Sequence, residues 1–379
     1  MESVDLAVIG AGPAGSAAAI RYLQLRPSAR VVVLDKVQFP RDKPCGDGLG
    51  PDAVGELVTL GAAEVLRGRV PVTSVVLQSP SGRRVIGSSP RPGFVVPRFE
   101  LDAGLVTVAR SLGAEIVCER IESLERTAGG VVVNDKYDTA VVVAADGANS
   151  RCRTLLGLDR APDDHAAFAV RGYAVSGTSA LEIRWERHLF PAYSWVFPIG
   201  DGRVNVGFGC LHSRLTGDKP KERLWEALTE TVDLEPLVGT LRAHRLPFTS
   251  ANLSRSAGPV LFAGDAAGMI NPLSGEGIYY ALATGRMAAT AAVMRGEHAA
   301  RAYEDAVNKS FRPHLRSTSV AHRLQRLPRN IDAAVAAAEN SWPVFEDLVE
   351  LALGRGRLTA RMTAGIARSW LLRQTPQSA

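Results

Sequence analysis

Patterns for metal binding and disulfide bonding are missing from this 379-residue chain. Its four cysteines, Cys45, Cys118, Cys152 and Cys210, lie far apart and form no CxxC, which argues against a disulfide framework and a thiolate zinc site. The seven histidines make no HxxxH or HExxH pair, so no metal is expected. No uncharged apolar run reaches the roughly eighteen residues that a membrane-spanning helix needs. The apolar stretch near the start follows Glu2 and Asp5, where an export signal would carry positive charge. The expectation is a cytoplasmic protein, with peripheral contact to a membrane left open. Acidic residues are also absent from Val307 to Ile331, which holds Lys309, Arg312, Arg316, Arg323, Arg326 and Arg329. A solvated helix face or contact with an anionic lipid or phosphate fits this stretch. It lacks the interleaved aromatic platform that would suggest nucleic acid.

At 46% hydrophobic content the chain can bury a full core, and its length points to two domains or one domain with an insertion. The formal charge of +5 suits an anionic cofactor or substrate without choosing between them.

The apolar strand from Leu6 to Ile9 runs into GAGPAG. Gly10 permits a tight turn, Gly12 lets backbone approach a pyrophosphate, and Gly15 lets the next helix pack close to the sheet. That helix begins near Pro13 and Ala14 and would aim its free N–H groups at negative charge. An Ala-rich helix follows, then VVVLD, ending at Asp35, twenty residues after Gly15 and just before Lys36. A carboxylate there can accept hydrogen bonds from both hydroxyls of an adenine ribose, so a bound FAD or NAD is expected. Two later strands, Val141 to Ala144 and Val260 to Ala263, deliver Asp146 with Gly147 and Gly264 with Asp265 past their carboxyl ends, where open parallel sheets bind ligands. Pro272, Gly275 and Gly277 then precede a small-residue helix starting at Ile278. Backbone amides at such an entrance can meet a flat ring, and the helix dipole can stabilise charge on a reduced flavin.

Taken together, GAGPAG with Asp35, Arg98 in PRFELD, ADGANSRCR and AGDAAGMINPLSGEGI resemble FAD-dependent oxidoreductases with the glutathione-reductase-like fold of the aromatic hydroxylases. Within that group, FPRDKPCGDGL with YSWVFPIGDGRVNVGFG resembles the geranylgeranyl reductase family. The resemblance implies an α/β protein. A discontinuous Rossmann-like FAD-binding domain would cover 1–70, 95–165 and 250–310. An inserted antiparallel-sheet substrate domain would cover 71–94 and 166–249, and C-terminal helices 311–379. It further implies that Asp35 holds the adenine ribose, that Arg98 lies near the pyrophosphate and ribityl region, and that Asp265 binds ribityl or ribose hydroxyls. Asp146 belongs to the framework near the cofactor, and Cys45 and Gly46 lie beside the ring.

Inside the insertion, YSWVFP alternates so that Tyr193, Trp195 and Phe197 share one strand face, either as plain core or as a cavity lining over the flavin. The loop FPRDKPCGDGLGPDAV leaves the second strand and passes Cys45, Gly46, Asp47 and Gly48 toward the ring. Cys45 is a candidate for catalysis, for pocket lining or for a sharp turn, since a thiol can relay a proton. Gly48 is expected at the substrate. Lys43 and Arg41 are expected on a solvated loop, with attraction of an anionic substrate group as the alternative.

The resemblance favours reduction of C=C bonds in an isoprenoid or related hydrophobic substrate by hydride from flavin N5. Hydroxylation of an aromatic or polyketide-like metabolite through a C4a-hydroperoxyflavin is the alternative, and a non-catalytic flavin-binding partner a third. Halogenases of this fold carry a WxWxIP segment and a catalytic lysine, but this chain reads YSWVFP and has no lysine from Pro44 to Asp135. No separate nicotinamide domain is apparent, so NADPH or NADH would dock transiently, or an electron-donor protein would serve. In the tail, Pro313, Pro328 and Pro343 are expected to interrupt short helices. Met362, Ile366 and Trp370 recur every four residues, as on a helix docked as a lid or lying on a membrane.

Overall fold

The computed structural model describes residues 1–187, 189–215, 217–234, 236–294 and 298–372. Its helices, in chain order, are α1 (Pro13–Leu25), α2 (Pro51–Thr59), α3 (Arg98–Ser111), α4 (Arg151–Leu155), α5 (Pro220–Thr231), α6 (Ile278–Met294), α7 (Ala299–Leu324), α8 (Pro328–Asn340), α9 (Trp342–Leu353) and α10 (Ala360–Leu372).

Short apolar runs followed by helices build a six-stranded sheet. Its order is Ser256–Ala257, Val260–Phe262, Val142–Ala144, Leu6–Ile9, Val31–Asp35 and Glu115–Cys118. All neighbours are parallel except the first pair. Leu6, Ala7, Val8 and Val31 to Leu34 are buried whichever way they point, as expected when both sheet faces are covered. α1 is closely packed on two sides: a Cβ on Gly15 would lie 1.7 Å from the carbonyl oxygen of Gly10 in the turn before it, and one on Gly285 of α6 would lie 2.0 Å from that of Ala14. A four-stranded sheet formed by Glu2–Ser3, Tyr137–Thr139, Val131–Val133 and Leu124–Arg126 shares this core.

The insertion forms an eight-stranded sheet: Arg242–Pro247, Ala166–Val175, Arg203–Leu211, Ala192–Pro198, Leu181–Glu186, Val72–Gln78, Arg84–Val95 and Gly48–Leu49. It is antiparallel as expected, with one exception. Leu181–Glu186 runs parallel to Val72–Gln78, where strands from two separate excursions of the chain meet. The last edge comes from the cysteine-bearing loop itself, since Gly48 pairs with Val95 and Leu49 with Phe94. The insertion, expected as an antiparallel sheet, also contains α5. Leu224, Ala227 and Leu228 of α5 pack on Val170, Val204, Val206 and Phe208.

The tail departs from its expected breaks. Pro313 lies inside α7, which runs through it and through the expected boundary near residue 310. A proline there forfeits one backbone bond; the buried Tyr303, Val307, Phe311 and His314 hold the helix on the core regardless. Pro328 and Pro343 sit at the starts of α8 and α9, where the missing N–H has no intrahelical partner to lose. Both helices lie on the large sheet through Ile331, Val335, Phe345 and Val349, against Val75, Leu77 and Ile183. The Phe345 ring occupies the place a side chain on Gly87 would need, 2.2 Å from its Cβ position. α10 packs one layer further out, with Met362 buried among Ala337, Val344 and Leu351. Among the described residues no helix is long and apolar enough to cross a membrane.

Candidate active site

The first strand, the turn after it and α1 form the nucleotide end. Gly10 has φ +95°, and a Cβ on it would sit 2.4 Å from the Ala145 carbonyl oxygen, so neither the conformation nor the space admits another residue. Gly12 differs: a Cβ there would meet only the guanidinium of Arg41 at 3.5 Å and that of Arg98 at 3.9 Å. The buried Arg98 is held by a bidentate pair to Asp102, 2.6 and 2.7 Å long. Burial works against its charge, but Asp102 overrides that and raises its pKa above the ordinary arginine value. Arg41 Nη1 lies 3.0 Å from Asp102 Oδ2 but is buried without a hydrogen bond. Two cations share one carboxylate beside an open glycine turn, which suits a pyrophosphate. Asp35, at its strand end, accepts from Ala11 N–H at 2.8 Å and Val37 N–H at 3.0 Å, while Lys36 is exposed.

Two expected cofactor residues turn their side chains toward neighbouring protein segments. Ala14 packs toward Gly264 of the neighbouring segment, whose added Cβ would lie 3.1 Å from the Ala14 Cβ. The Asp146 carboxylate caps α4, accepting from Ser150 Oγ at 2.7 Å and Cys152 N–H at 2.9 Å. Both oxygens are therefore engaged in fixing the helix start, and the side chain's place is structural.

At the ring end, Asp265 lies 3.0 Å from Lys43 Nζ and 3.6 Å from His244 Nε2. Burial alone would raise Asp265, but Lys43, with His244, holds it well below the usual carboxylate range. Burial pushes His244 down, and its Nε2 is buried without a hydrogen-bond partner. Lys43 and Arg41, expected on a solvated loop, thus both turn inward onto carboxylates.

Cys45 and Gly46 are half-buried and line one cleft together with Pro272, Gly275, Gly277, Ile278 and Asp265. Burial raises the Cys45 thiol and Arg98 partly opposes this, so the group stays protonated near neutrality. The next residue but one holds the loop. Asp47 is fully buried with φ +61° and accepts from Tyr173 Oη at 2.7 Å, Asn205 Nδ2 at 2.8 Å and Arg98 N–H at 3.3 Å. Burial lifts its pKa from 3.8 to about 6 despite these donors. Asn205 also donates to the Cys45 carbonyl at 2.8 Å and accepts from Trp195 Nε1 at 2.9 Å. Arg171 packs over the Tyr173 ring at 4.6 Å and pairs with Asp42. The two motifs of the subfamily resemblance are therefore stitched together by Asn205, Asp47 and Tyr173. Asn205 carried a sequence signal, a lone amide in the apolar run RVNVGFG; Tyr173 and Arg171 carried none.

Tyr193, Trp195 and Phe197 do share a face, with ring centroids 5.9 and 6.3 Å apart. Trp195 lies over Gly207, whose Cβ would come within 2.0 Å of the indole. Phe197 faces the loop, 3.3 Å from a Cβ placed on Gly46 and 3.5 Å from one on Gly48. Tyr193 Oη donates to the Ser274 carbonyl at 2.6 Å, tying the ribbon to the entrance of α6. There Glu276, unnoticed in the sequence reading, accepts from Tyr279 N–H at 2.8 Å. Burial pushes it up to about 7, against the pull of the amides of Tyr279 and Ile278.

The cleft has an empty volume of about 1850 Å³ counting its open mouth. Much of the remaining wall is apolar, with Val75, Ile183 and Leu246 from the large sheet, Ile270 from the segment before α6, and Val349 and Leu353 from α9.

The sequence profile of the FAD binding domain family matches residues 3–307. The menaquinone reductase of Mycolicibacterium smegmatis is 39% identical, over 97% of this chain and 95% of its own. The geranylgeranyl diphosphate reductase of Rhodobacter capsulatus is 31% identical, over 76% of this chain and 75% of its own. In structure, a geranylgeranyl bacteriochlorophyll reductase-like protein from Thermoplasma acidophilum aligns with a TM-score of 0.81 at 21% identity, covering 98% of this chain and 97% of that one. A flavin-dependent brominase aligns with a TM-score of 0.73 at 18% identity, over 99% of this chain and all of its own. With the glycine turn, the paired guanidiniums and the strand-end carboxylates all in place for a dinucleotide, the chain belongs to the geranylgeranyl reductase family of FAD-dependent oxidoreductases.

Proposed function

We propose that the protein reduces carbon–carbon double bonds in the isoprenoid chain of a prenyl quinone or related hydrophobic lipid. The carrying observation is the cleft, in which a thiol-bearing loop, an aromatic ribbon and a helix entrance line one largely apolar space. Apolar side chains of the large sheet and of α9 line this space beside the loop, which suits a hydrophobic chain held next to the cofactor. Burying such a chain releases about 0.8 kcal/mol per methylene, enough to hold a substrate with few polar groups. The similarity to a menaquinone reductase along nearly the whole chain favours a quinone-bearing substrate.

FAD, when bound, supplies the hydride. The residues that would hold it are Gly10, Gly12, Pro13 and Gly15 with Arg41 and Arg98 at the pyrophosphate, Asp35 at the adenine ribose, Asp265 at the ribityl chain, and Gly275, Gly277 and Ile278 at the ring. Addition of a hydride to an alkene also needs a proton. Cys45 holds one on its sulfur because burial disfavours the thiolate, and Glu276, poised at about 7, can restore it. Asn205 and Asp47 fix the loop so that the thiol keeps its place. Trp195 and Phe197 cover the loop from the sheet side and exclude water. The reductant is NADPH, NADH or an electron-donor protein that docks transiently.

The test is anaerobic turnover of pre-reduced enzyme with menaquinone, followed by mass spectrometry. The expected product is heavier by two hydrogens. Incorporation of an atom from labelled oxygen gas in an aerobic run would instead identify a monooxygenase.

A further inference from the structure

The outer face of α7 carries chemistry that the site does not use. Lys309, Arg312, Arg316, Val320 and Arg323 follow one another at intervals of three and four residues and form one exposed stripe. Tyr303, Val307, Phe311, His314, Thr318 and His322 form the buried stripe opposite. The stripe continues into the turn before α8, where Arg326 and Arg329 are also exposed. None of these six cations makes an ion pair among the described residues, and no acid occurs between them in the sequence. Large apolar side chains stand among them: Val320 is 45% exposed, Leu324 53% and Leu327 47%. Arg329 lies over the ring of Trp370, 5.4 Å from its centroid, adding an aromatic edge.

Unpaired cations around protruding leucines complement an anionic lipid surface, which offers charge to the arginines and an acyl boundary to the leucines. Position reinforces this. His322 and Gln325, next to Arg323, Leu324 and Arg326 in the chain, line the substrate cleft. One helix, about 10 Å across, therefore separates the patch from the cleft.

We propose that the outer face of α7 and the α7–α8 turn form a membrane-docking surface for anionic bilayers, holding the cleft against the lipid that dissolves its substrate. The proposal rests on the isoprenoid reading for its purpose but not for its test. The full-length, FAD-loaded protein is mixed with vesicles of phosphatidylcholine alone, or with about one-third phosphatidylglycerol, and floated on a density gradient at low salt and at about 0.5 M salt. Wild type should float with the anionic vesicles and much less with the neutral ones. Arg316→Glu/Arg323→Glu/Arg326→Glu should lower the partition coefficient at least about tenfold. Leu324→Ser/Leu327→Ser should keep binding at low salt and lose the fraction that survives high salt. Both variants should keep wild-type FAD content and wild-type reduction of detergent-dissolved substrate.

Absence of flotation, equal flotation with both vesicle types, or unchanged flotation of the triple variant would each overturn the proposal. Failed flotation with reduction intact rejects the surface alone. Flotation without reduction of any prenyl quinone rejects the catalytic reading alone.

Discussion

Replacing Asn205 with leucine tests whether the loop and the ribbon are one unit. Asn205 is fully buried and serves three partners: the Cys45 carbonyl, the Asp47 carboxylate and the Trp195 indole N–H. Asn205→Leu fills similar space and strips all three. A buried group left without its hydrogen bond costs roughly 1–3 kcal/mol. Asp47 keeps Tyr173 and the Arg98 amide, so its share is small; the other two groups bring the expected loss to about 3–5 kcal/mol. At roughly 1.3 °C per kcal/mol for a chain of this length, the thermal midpoint of the holoprotein should fall by about 4–6 °C. Tyr173→Phe removes one contact and should cost about 1–2 kcal/mol. Its combination with Asn205→Leu should be non-additive, because both act on Asp47.

A pH series adds a signature that a merely cramped leucine would not give. The folded-state pKa of Asp47 is raised from 3.8 to about 6, so its protonation favours the fold at low pH and that stabilisation is lost as pH rises through about 6. Asn205 is one of the groups holding this value down, so the variant should shift it further up. The stability deficit of Asn205→Leu should then be smaller at pH 5 than at pH 8. A midpoint within about 2 °C of wild type, with turnover intact at both pH values, would refute the reasoning.

Cys45→Ala should retain normal FAD content and lose turnover; unchanged turnover on the true substrate would remove the thiol from the mechanism. If the neutral Glu276 carboxyl restores the proton, wild-type turnover should fall about tenfold per unit above its value of about 7, and Glu276→Gln should flatten that limb. An identical alkaline limb in the variant would exclude Glu276. Gly12→Ala places a methyl group in the space facing Arg41 without touching backbone, so FAD affinity should drop at least about tenfold while the midpoint of the FAD-free protein stays put. Equal affinity by fluorescence titration would move the pyrophosphate away from that turn.

Features carried by local pattern were legible before any coordinates. The run LAVI into GAGPAG, the strand that ends at Asp35 and the alternation in YSWVFP each depend on nearby residues, and the structure has the strand and helix start, Asp35 at a strand end and the three rings on one face. What escaped depends on long-range geometry. Asp47 meets Tyr173 and Asn205 across 126 and 158 residues, a pairing no periodicity encodes. Asp146 follows a strand just as Asp265 does, yet a serine four residues on draws it to cap α4. Pro313 reads as a break until the aromatic side chains packed beneath it are seen to hold α7 straight through. Lys43 and Arg41 read as solvated because their carboxylate partners lie far along the chain.

The C-terminal helices reach the segment that leads into α6: Gln325 Nε2 donates to the Pro272 carbonyl at 3.4 Å, and Ser274 Oγ donates to the Ala352 carbonyl at 2.6 Å. The last stretch of the polypeptide therefore buttresses the glycine-rich entrance as well as walling the cleft. Exchanging the final helices should thus alter cofactor retention and substrate preference together, because one set of contacts serves both.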